Sequence, residues 1–334
     1  MNRFCIFLVS IAACACQACG HKAETRPQAS PAPTASSTSS ITPAEFSADS
    51  AMVFIQEQVD MGPRVPGTAA HQRCADYLAL QLQRFGADVM QQEAVARRYD
   101  GQQVGIRNII GSYNPDAKPR IMLCAHWDSR PWADQDEDPR NHRTPIPGAN
   151  DGASGAGVLL EIARQLHAMQ TPRGIDLILF DAEDMGTPQF DDSHPHDETT
   201  WCLGSQHWSH APHRFNYRAQ YAILLDMVGA KDARFPREYF STYFAASTVE
   251  KIWKTGQRLG YDRYFIDQES SPLTDDHYFI NTIANIPCID IVHYNPDTPT
   301  GFGSYWHTLN DNMDNIDLQT LQAVGTTVLT SILN

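Results

Sequence analysis

The chain has 334 residues, of which 42% are hydrophobic and 10% aromatic, which excludes a disordered protein and leaves enough apolar side chain for a sizeable core. Basic residues number 25 and acidic ones 39, a net charge of −14; this argues against nucleic-acid binding, which leans on Lys and Arg at phosphates, and suits a cation as partner. The glycines follow no fixed period, so collagen, solenoids and propellers are excluded as well.

Arg3 is followed by an apolar run over residues 4–18. A spanning helix needs roughly twenty residues, so the run predicts a secretory signal. Ile11-Ala12-Ala13-Cys14 resembles the lipobox of bacterial lipoproteins, in which small residues precede a cysteine that is lipidated and becomes the mature N-terminus. Residues 1–19 are therefore expected to be a lipoprotein-type signal peptide with Cys14 as the lipidated residue; Cys16 and Cys19 fit the role less well. Residues 20–46 are rich in Pro, Ser and Thr, a composition that buries no core and makes a disordered tether. The expectation is an exported, periplasmic protein that meets the membrane only through its N-terminal lipid anchor.

From 47 to 334 no linker interrupts the sequence, and one domain is expected. Helical spacing runs over 50–60 and 68–84, where Ala70, Cys74, Tyr77, Leu78 and Leu82 share a face. Strands are expected at 87–98, 104–112 and 120–125, then a helix at 155–169. Further strands follow at 175–180 and 221–225, a helix at 247–259, a strand at 286–292 and a last helix at 317–333. Short apolar runs alternating with amphipathic helices predict an α/β sheet covered on both faces. Cys124 and Cys288 lie inside apolar strands, where a free buried thiol is expected. Cys74 and Cys202 complete the set in the body, and the spacing of the four matches no zinc ribbon or disulfide scaffold.

In open α/β sheets, sites gather at the carboxyl ends of strands, and those ends are where the metal-compatible side chains fall. One strand runs into His126-Trp127-Asp128-Ser129, and Asn150-Asp151-Gly152 precedes a helix. The next strands end in Asp181-Ala182-Glu183-Asp184 and in Asp226-Met227-Val228-Gly229. Tyr305-Trp306-His307-Thr308 comes late in the chain. Singly, an acidic residue after a strand is often only a helix cap. Gathered together, these carboxylates would repel one another and raise their pKa values unless a cation joined them. Asp, Glu and His are ligands that zinc accepts, and a catalytic zinc keeps three of them and one open position. Glu183 and Asp184 offer a division of labour, one for metal and one for protons. Neighbours on an extended strand face opposite ways, so a turn is required there.

The ordered set resembles the zinc aminopeptidases of the M28 type and, more closely, the animal-type glutaminyl-peptide cyclotransferases and their bacterial counterparts. The closer resemblance rests on Trp306-His307, on Asp275-Asp276-His277, and on Asp128-Ser129-Arg130-Pro131-Trp132 leading into the acidic loop 134–138. It covers roughly residues 50–334. It implies an open, mixed, mostly parallel β-sheet flanked by helices, in a single zinc-dependent catalytic domain. It further implies one Zn2+ held by Asp151, Asp184 and His307, with Glu183 as general acid/base and Asp226 and Asp275 in an acidic network beside it. Phe302 and Trp306 would line the substrate pocket. Two positions depart from the family pattern. Asp184 stands where the family has Glu, one methylene shorter, and the loop 187–200 lacks the family's tryptophan, a role expected to pass to Trp201.

The implied reaction is cyclisation of an N-terminal glutamine to pyroglutamate with release of ammonia, the partners being glutaminyl peptides or exported proteins. An M28-type aminopeptidase remains open, because His126 and Asp226 are ligand types for a second metal, with Asp151 bridging. A tethered peptide-binding lipoprotein with a structural metal is a third reading. Structural zinc sites often use Cys, and no ligand named here is one.

Overall fold

The structure, a computed structural model, describes residues 44–334. The expected signal peptide, Cys14 and all but the last residues of the expected tether lie outside the described residues. Among the described residues the last of that expected tether already pack: Ala44 lies against the core, and Phe46 is buried under Gly325.

Ser47 caps the first helix, α1 (Ala48–Asp60), its hydroxyl accepting from the amide of Ser50 at 3.2 Å. Thr68 caps α2 (Ala69–Arg84) in the same manner. Next come β1 (Asp88–Arg97), β2 (Gln103–Tyr113), β3 (Arg120–His126), α3 (Ala153–Met169), β4 (Gly174–Phe180), α4 (Leu203–His210) and β5 (Tyr221–Asp226). The chain closes with β6 (Phe235–Arg237), α5 (Tyr239–Arg258), β7 (Phe265–Glu269), α6 (Asp276–Phe279), β8 (Cys288–Val292) and α7 (Leu318–Leu333). The main sheet has the order β1-β2-β4-β3-β5-β8. β4, β3, β5 and β8 are parallel, and the hairpin β1–β2 joins antiparallel at β4. This is the mixed, mostly parallel sheet the sequence implied.

Every residue of β3 and β4 is buried, which is why both read as largely apolar runs, the one charge inside them, Asp176 of β4, being paired with Arg120 at the start of β3. The pleat still divides them. Ile121, Leu123 and Ala125 face the larger core with α1, α2, α3, α5 and α7, while Met122 and Cys124 face a second core with Trp208 of α4 and Ile280. On the first face α3 lies directly on the strands at Gly155, where a Cβ would collide with the carbonyl oxygen of Leu225.

The structure differs from expectation in three places. α5 begins at Tyr239 rather than 247 and carries a non-helical Ala245 (φ −140°, ψ 40°). That kink breaks the apolar spacing across its first turns. α4 was not foreseen, because Leu203–His210 is short and rich in polar residues. Nor was the two-stranded sheet of β6 and β7: β6 has only three residues, and β7, Phe-Ile-Asp-Gln-Glu, is largely exposed and polar. All four cysteines among the described residues are free and buried. Among those residues no helix is long and apolar enough to cross a membrane.

Candidate active site

Parallel strands end on the same edge, and the pairing Cys124↔Leu224 carries forward to bring His126 beside Asp226. His126 Nε2 lies 3.1 Å from Asp226 Oδ1. On the other side of β3, β4 runs into Asp181, whose carboxylate meets His71 Nε2 at 2.9 Å. Ala182 then takes a left-handed conformation (φ 55°). This is the turn the Glu183-Asp184 pair requires, and such a conformation persists in a non-glycine residue only where its surroundings fix it. Asp128 does so: Oδ1 accepts the Glu183 amide at 3.0 Å and Oδ2 the Asp184 amide at 3.3 Å. The His-x-Asp motif therefore has two tasks, His126 facing the carboxylates and Asp128 gripping the backbone of the acid pair.

Asp151 is held from another direction. Asp311 accepts the amides of Asn150 at 2.8 Å and Asp151 at 3.0 Å, while Asn150 Oδ1 accepts the amide of Gly229 at 2.8 Å. Gly152 (φ 94°) begins α3 where a Cβ would strike the Asp128 carbonyl. Asp128 and Asp311 were not singled out as site residues from the sequence. Asp311 has no local signature, since its partners are 160 and 161 residues away.

Three donors converge. His307 Nε2 lies 3.2 Å from Asp184 Oδ1 and 3.5 Å from Asp151 Oδ2, and the ligand atoms of Asp151, Asp184 and His307 lie within 4.8 Å of one another. His126, Asp151 and Asp226 form a second such group that shares Asp151, with His126 Nε2 at 3.1 Å from Asp151 Oδ1. Both carboxylate oxygens of Asp184 are buried without a hydrogen-bond partner among the described residues. Two carboxylates and an imidazole, with orphaned oxygens aimed inward, fit a divalent cation of the zinc type. Electrostatics agree. Burial raises Glu183 well above the usual carboxylate range, with Asp184 adding to it, and burial and Asp151 raise Asp184. Burial pushes Asp226 up to about 7. Asp151 alone of this group is lowered, because its bonds to His126 and His307 outweigh its burial.

His307, also left-handed (φ 55°), is clamped between rings. Trp306 stacks at 3.7 Å between centroids and Trp201 lies parallel at 6.2 Å. Its Nδ1 faces Asp134 Oδ1 at 3.6 Å, and the buried Arg130 holds Asp134 with bonds of 2.8 and 2.6 Å. The motif Asp128-Ser129-Arg130 thus reaches the imidazole through Asp134, the first residue of the acidic loop. Imidazole ligands are commonly fixed through their second nitrogen in this way.

Above these groups opens a pocket of about 260 Å3 lined by Asp151, Glu183, Asp184, Asp226, Asp275 and His307, with Trp201, Phe302 and Trp306 as its aromatic wall. His126 lies outside that lining, between Asp151 and Asp226. Trp201 lies flat against Gly186 and over Arg130, 4.6 Å from its guanidinium. His196, Glu198 and the stretch 272–274 also line the pocket; they sit on loops whose sequence carries no periodic signal. Cys202, left without a role by the sequence, points its thiol at Glu183 Oε1, 3.2 Å away.

Behind Asp275 lies a buried device also missed. Glu238 caps α5 and accepts the amide of Leu273 at 3.1 Å, and His277 Nε2 lies 3.0 Å from its other oxygen. One carboxylate therefore grips the chain two residues before and two after Asp275. Although burial opposes it, the bond to His277 holds Glu238 down from 4.5 to about 2. A depressed carboxylate adds stability above its unfolded pKa and loses it as pH falls through the folded one. Glu238→Gln is therefore expected to cost about 3 kcal/mol near neutral pH. In urea melts the gap to wild type should close between about pH 4.5 and 2; a gap independent of pH would refute this role for the charge.

The peptidase family M28 model matches residues 108–332. The chain is similar to a Zn-dependent exopeptidase from Parabacteroides distasonis, at 53% identity and a TM-score of 0.86 over 88% of this chain and 100% of that one. It is equally similar to Bacteroides thetaiotaomicron glutaminyl cyclase bound to N-acetylhistamine, at 53% identity and a TM-score of 0.86 over 88% and 99%. Among curated relatives, Drosophila melanogaster glutaminyl-peptide cyclotransferase is 27% identical over 302 residues, 83% of this chain and 78% of its own length. Bacillus subtilis aminopeptidase YwaD is 25% identical over 297 residues, 86% of this chain, which spans only 58% of that relative's length. With the family model covering most of the body and the same fold in both solved relatives, the chain belongs to peptidase family M28.

Proposed function

We propose that the chain is a zinc-dependent glutaminyl-peptide cyclotransferase, an acyltransferase that converts N-terminal glutamine of peptides or proteins to pyroglutamate with release of ammonia. The observation that carries this reading is the position of Glu183: its carboxyl and the Asp151, Asp184 and His307 set share one small pocket walled by Trp201, Phe302 and Trp306. An aromatic-walled pocket beside the ligand set suits the first residue of a peptide, and the similar proteins from B. thetaiotaomicron and D. melanogaster are a glutaminyl cyclase and a glutaminyl-peptide cyclotransferase. Asp151, Asp184 and His307 would hold one zinc, which when bound supplies Lewis-acid polarisation of the γ-carboxamide. The aromatic wall orients the glutamine so that its own α-amine faces the carbonyl carbon of the side-chain carboxamide. Glu183 accepts a proton from the attacking amine and returns it to the departing nitrogen. A ring C–N bond forms, the carboxamide C–N bond breaks, and ammonia leaves. Asp226 and Asp275 hold Glu183 in place. Export as a periplasmic lipoprotein anchored through Cys14 belongs to the same proposal, resting on the N-terminal sequence.

A second reading has its own observation. His126, Asp151 and Asp226 form a ligand group sharing Asp151 with the first, the arrangement a two-metal aminopeptidase uses to activate water. The products separate the two. With a glutaminyl arylamide, a cyclase releases ammonia and leaves the arylamide bond intact, whereas a peptidase releases arylamine. Ammonia from the glutaminyl compound and no product from a leucyl arylamide are expected; arylamine from either would overturn the cyclase reading.

A further inference from the structure

The four parallel strands have chemically opposite ends. Their carboxyl ends carry the acidic pocket, and their amino ends are basic. Lys118 lies just before β3, Arg173 immediately before β4 and Arg218 just before β5. Lys251 of α5 joins them, its Nζ 3.4 Å from the hydroxyl of Tyr221, the first residue of β5. All four are exposed, and among the described residues none forms an ion pair with a carboxylate. Arg214 is near them, 3.9 Å from Asp88. Besides Asp88, acids at this end include Asp116 and the buried Asp176, the last neutralised by Arg120 at 2.6 Å. Lys118, Arg214, Arg218 and Phe215 border one shallow depression of about 850 Å3, and Phe215 is 95% exposed. Cations near helix carboxyl ends are accounted for by the helix dipole. A fully exposed phenylalanine among them is not, least of all in a chain of net charge −14.

The course of the chain supplies an independent observation. The carbonyl of Phe46 accepts from Gln322 at 2.9 Å, and the amide of Ala44 donates to Thr330 at 3.0 Å. Followed backwards, the chain thus runs toward the carboxyl end of α7. Arg173 donates to the carbonyl of Leu333 at that end, at 2.8 Å. Residue 44 therefore points to the basic end, away from the pocket.

We propose that the basic end of the sheet seats on an anionic phospholipid surface. Lys118, Arg173, Arg218 and Lys251 meet headgroup phosphates, and Phe215 enters the interface. The pocket then opens away from the membrane, toward soluble peptide chain ends. The surface is independent of the reaction proposed above, because no residue in it lines the pocket.

The test uses residues 41–334, which form one compact unit, a share of the chain in line with the 88% matched by the whole of the P. distasonis relative; this leaves any lipid anchor out. Partitioning is measured by sedimentation with phosphatidylcholine vesicles, with and without phosphatidylglycerol. Binding is expected only with phosphatidylglycerol, and it should fall as salt rises. Lys118→Gln with Arg218→Gln should weaken it about 25-fold, about fivefold for each cation, and Phe215→Ser should weaken it without changing the salt dependence. Lys231→Gln, an exposed cation beyond the other end of β5, should bind like wild type, and all variants should keep wild-type turnover. Absence of binding to phosphatidylglycerol vesicles would overturn the proposal. So would a double variant that partitions like wild type, or an equal loss in Lys231→Gln.

Discussion

Glu183→Gln is expected to lower kcat by about 10²–10⁴-fold while the zinc content of the protein stays at its wild-type value. The substitution keeps the volume and shape of the side chain, so the Cys202 thiol at 3.2 Å and the turn at Ala182 keep their partners. The backbone amide of residue 183 still bonds to Asp128. What is removed is the ability to accept and return a proton. Because that exchange belongs to the reaction and not to binding, the loss should fall on kcat with KM nearly unchanged. Emission spectroscopy for metal and turnover of a glutaminyl arylamide provide the two readouts. Near-full activity would assign proton transfer elsewhere, and a loss of zinc would make Glu183 a ligand.

His307→Ala and Asp184→Ala should behave in the opposite way and lose the metal. Each removes one of the three groups proposed to hold the metal, from a cluster in which burial and the neighbouring carboxylates raise Glu183 and Asp184. Turnover should fall below detection, and added zinc should not restore it. Because a ligand bound only by the folded chain stabilises it by mass action, chelation should also lower the melting temperature of wild type, but not that of His307→Ala. His126→Ala separates the two enzyme readings by metal counting. One zinc per chain before and after the change fits the cyclase reading, and a fall from two to one fits the peptidase.

Some of this was legible in the sequence because its causes are local. β3 and β4 are buried on both faces, so they are apolar except where a buried charge has a partner, as Asp176 has in Arg120. Sites gather at the carboxyl ends of such strands, so His126, the Glu183-Asp184 pair and Asp226 could be named as candidates from position alone. Asp151 stood out because Asn150-Asp151-Gly152 precedes a predicted helix, which in the structure Gly152 opens at φ 94°. His307, Trp306, Phe302 and Asp275 came from resemblance, since nothing in their own spacing predicts a ligand or a wall. The element that failed, the start of α5, failed because Ala245 interrupts the helix and with it the periodic signal.

The sequence by itself therefore determined the layer order, the apolar strands and the residue types that gather at the strand ends, because burial and strand polarity act along short stretches of chain. Only the tertiary structure decided how those residues are held. Asp128 grips the amides of the acid pair across 55 and 56 residues, Asp311 those of Asn150 and Asp151 across 161 and 160, and Glu238 brackets Asp275 across 35 and 39. Each is a single carboxylate bonded to distant backbone or imidazole, and a bond of that range leaves no mark on the sequence around it. The basic end of the sheet belongs to the same class: Lys118, Arg173 and Arg218 are scattered in the chain and share one edge because β3, β4 and β5 are parallel, and α5 brings Lys251 to Tyr221 there.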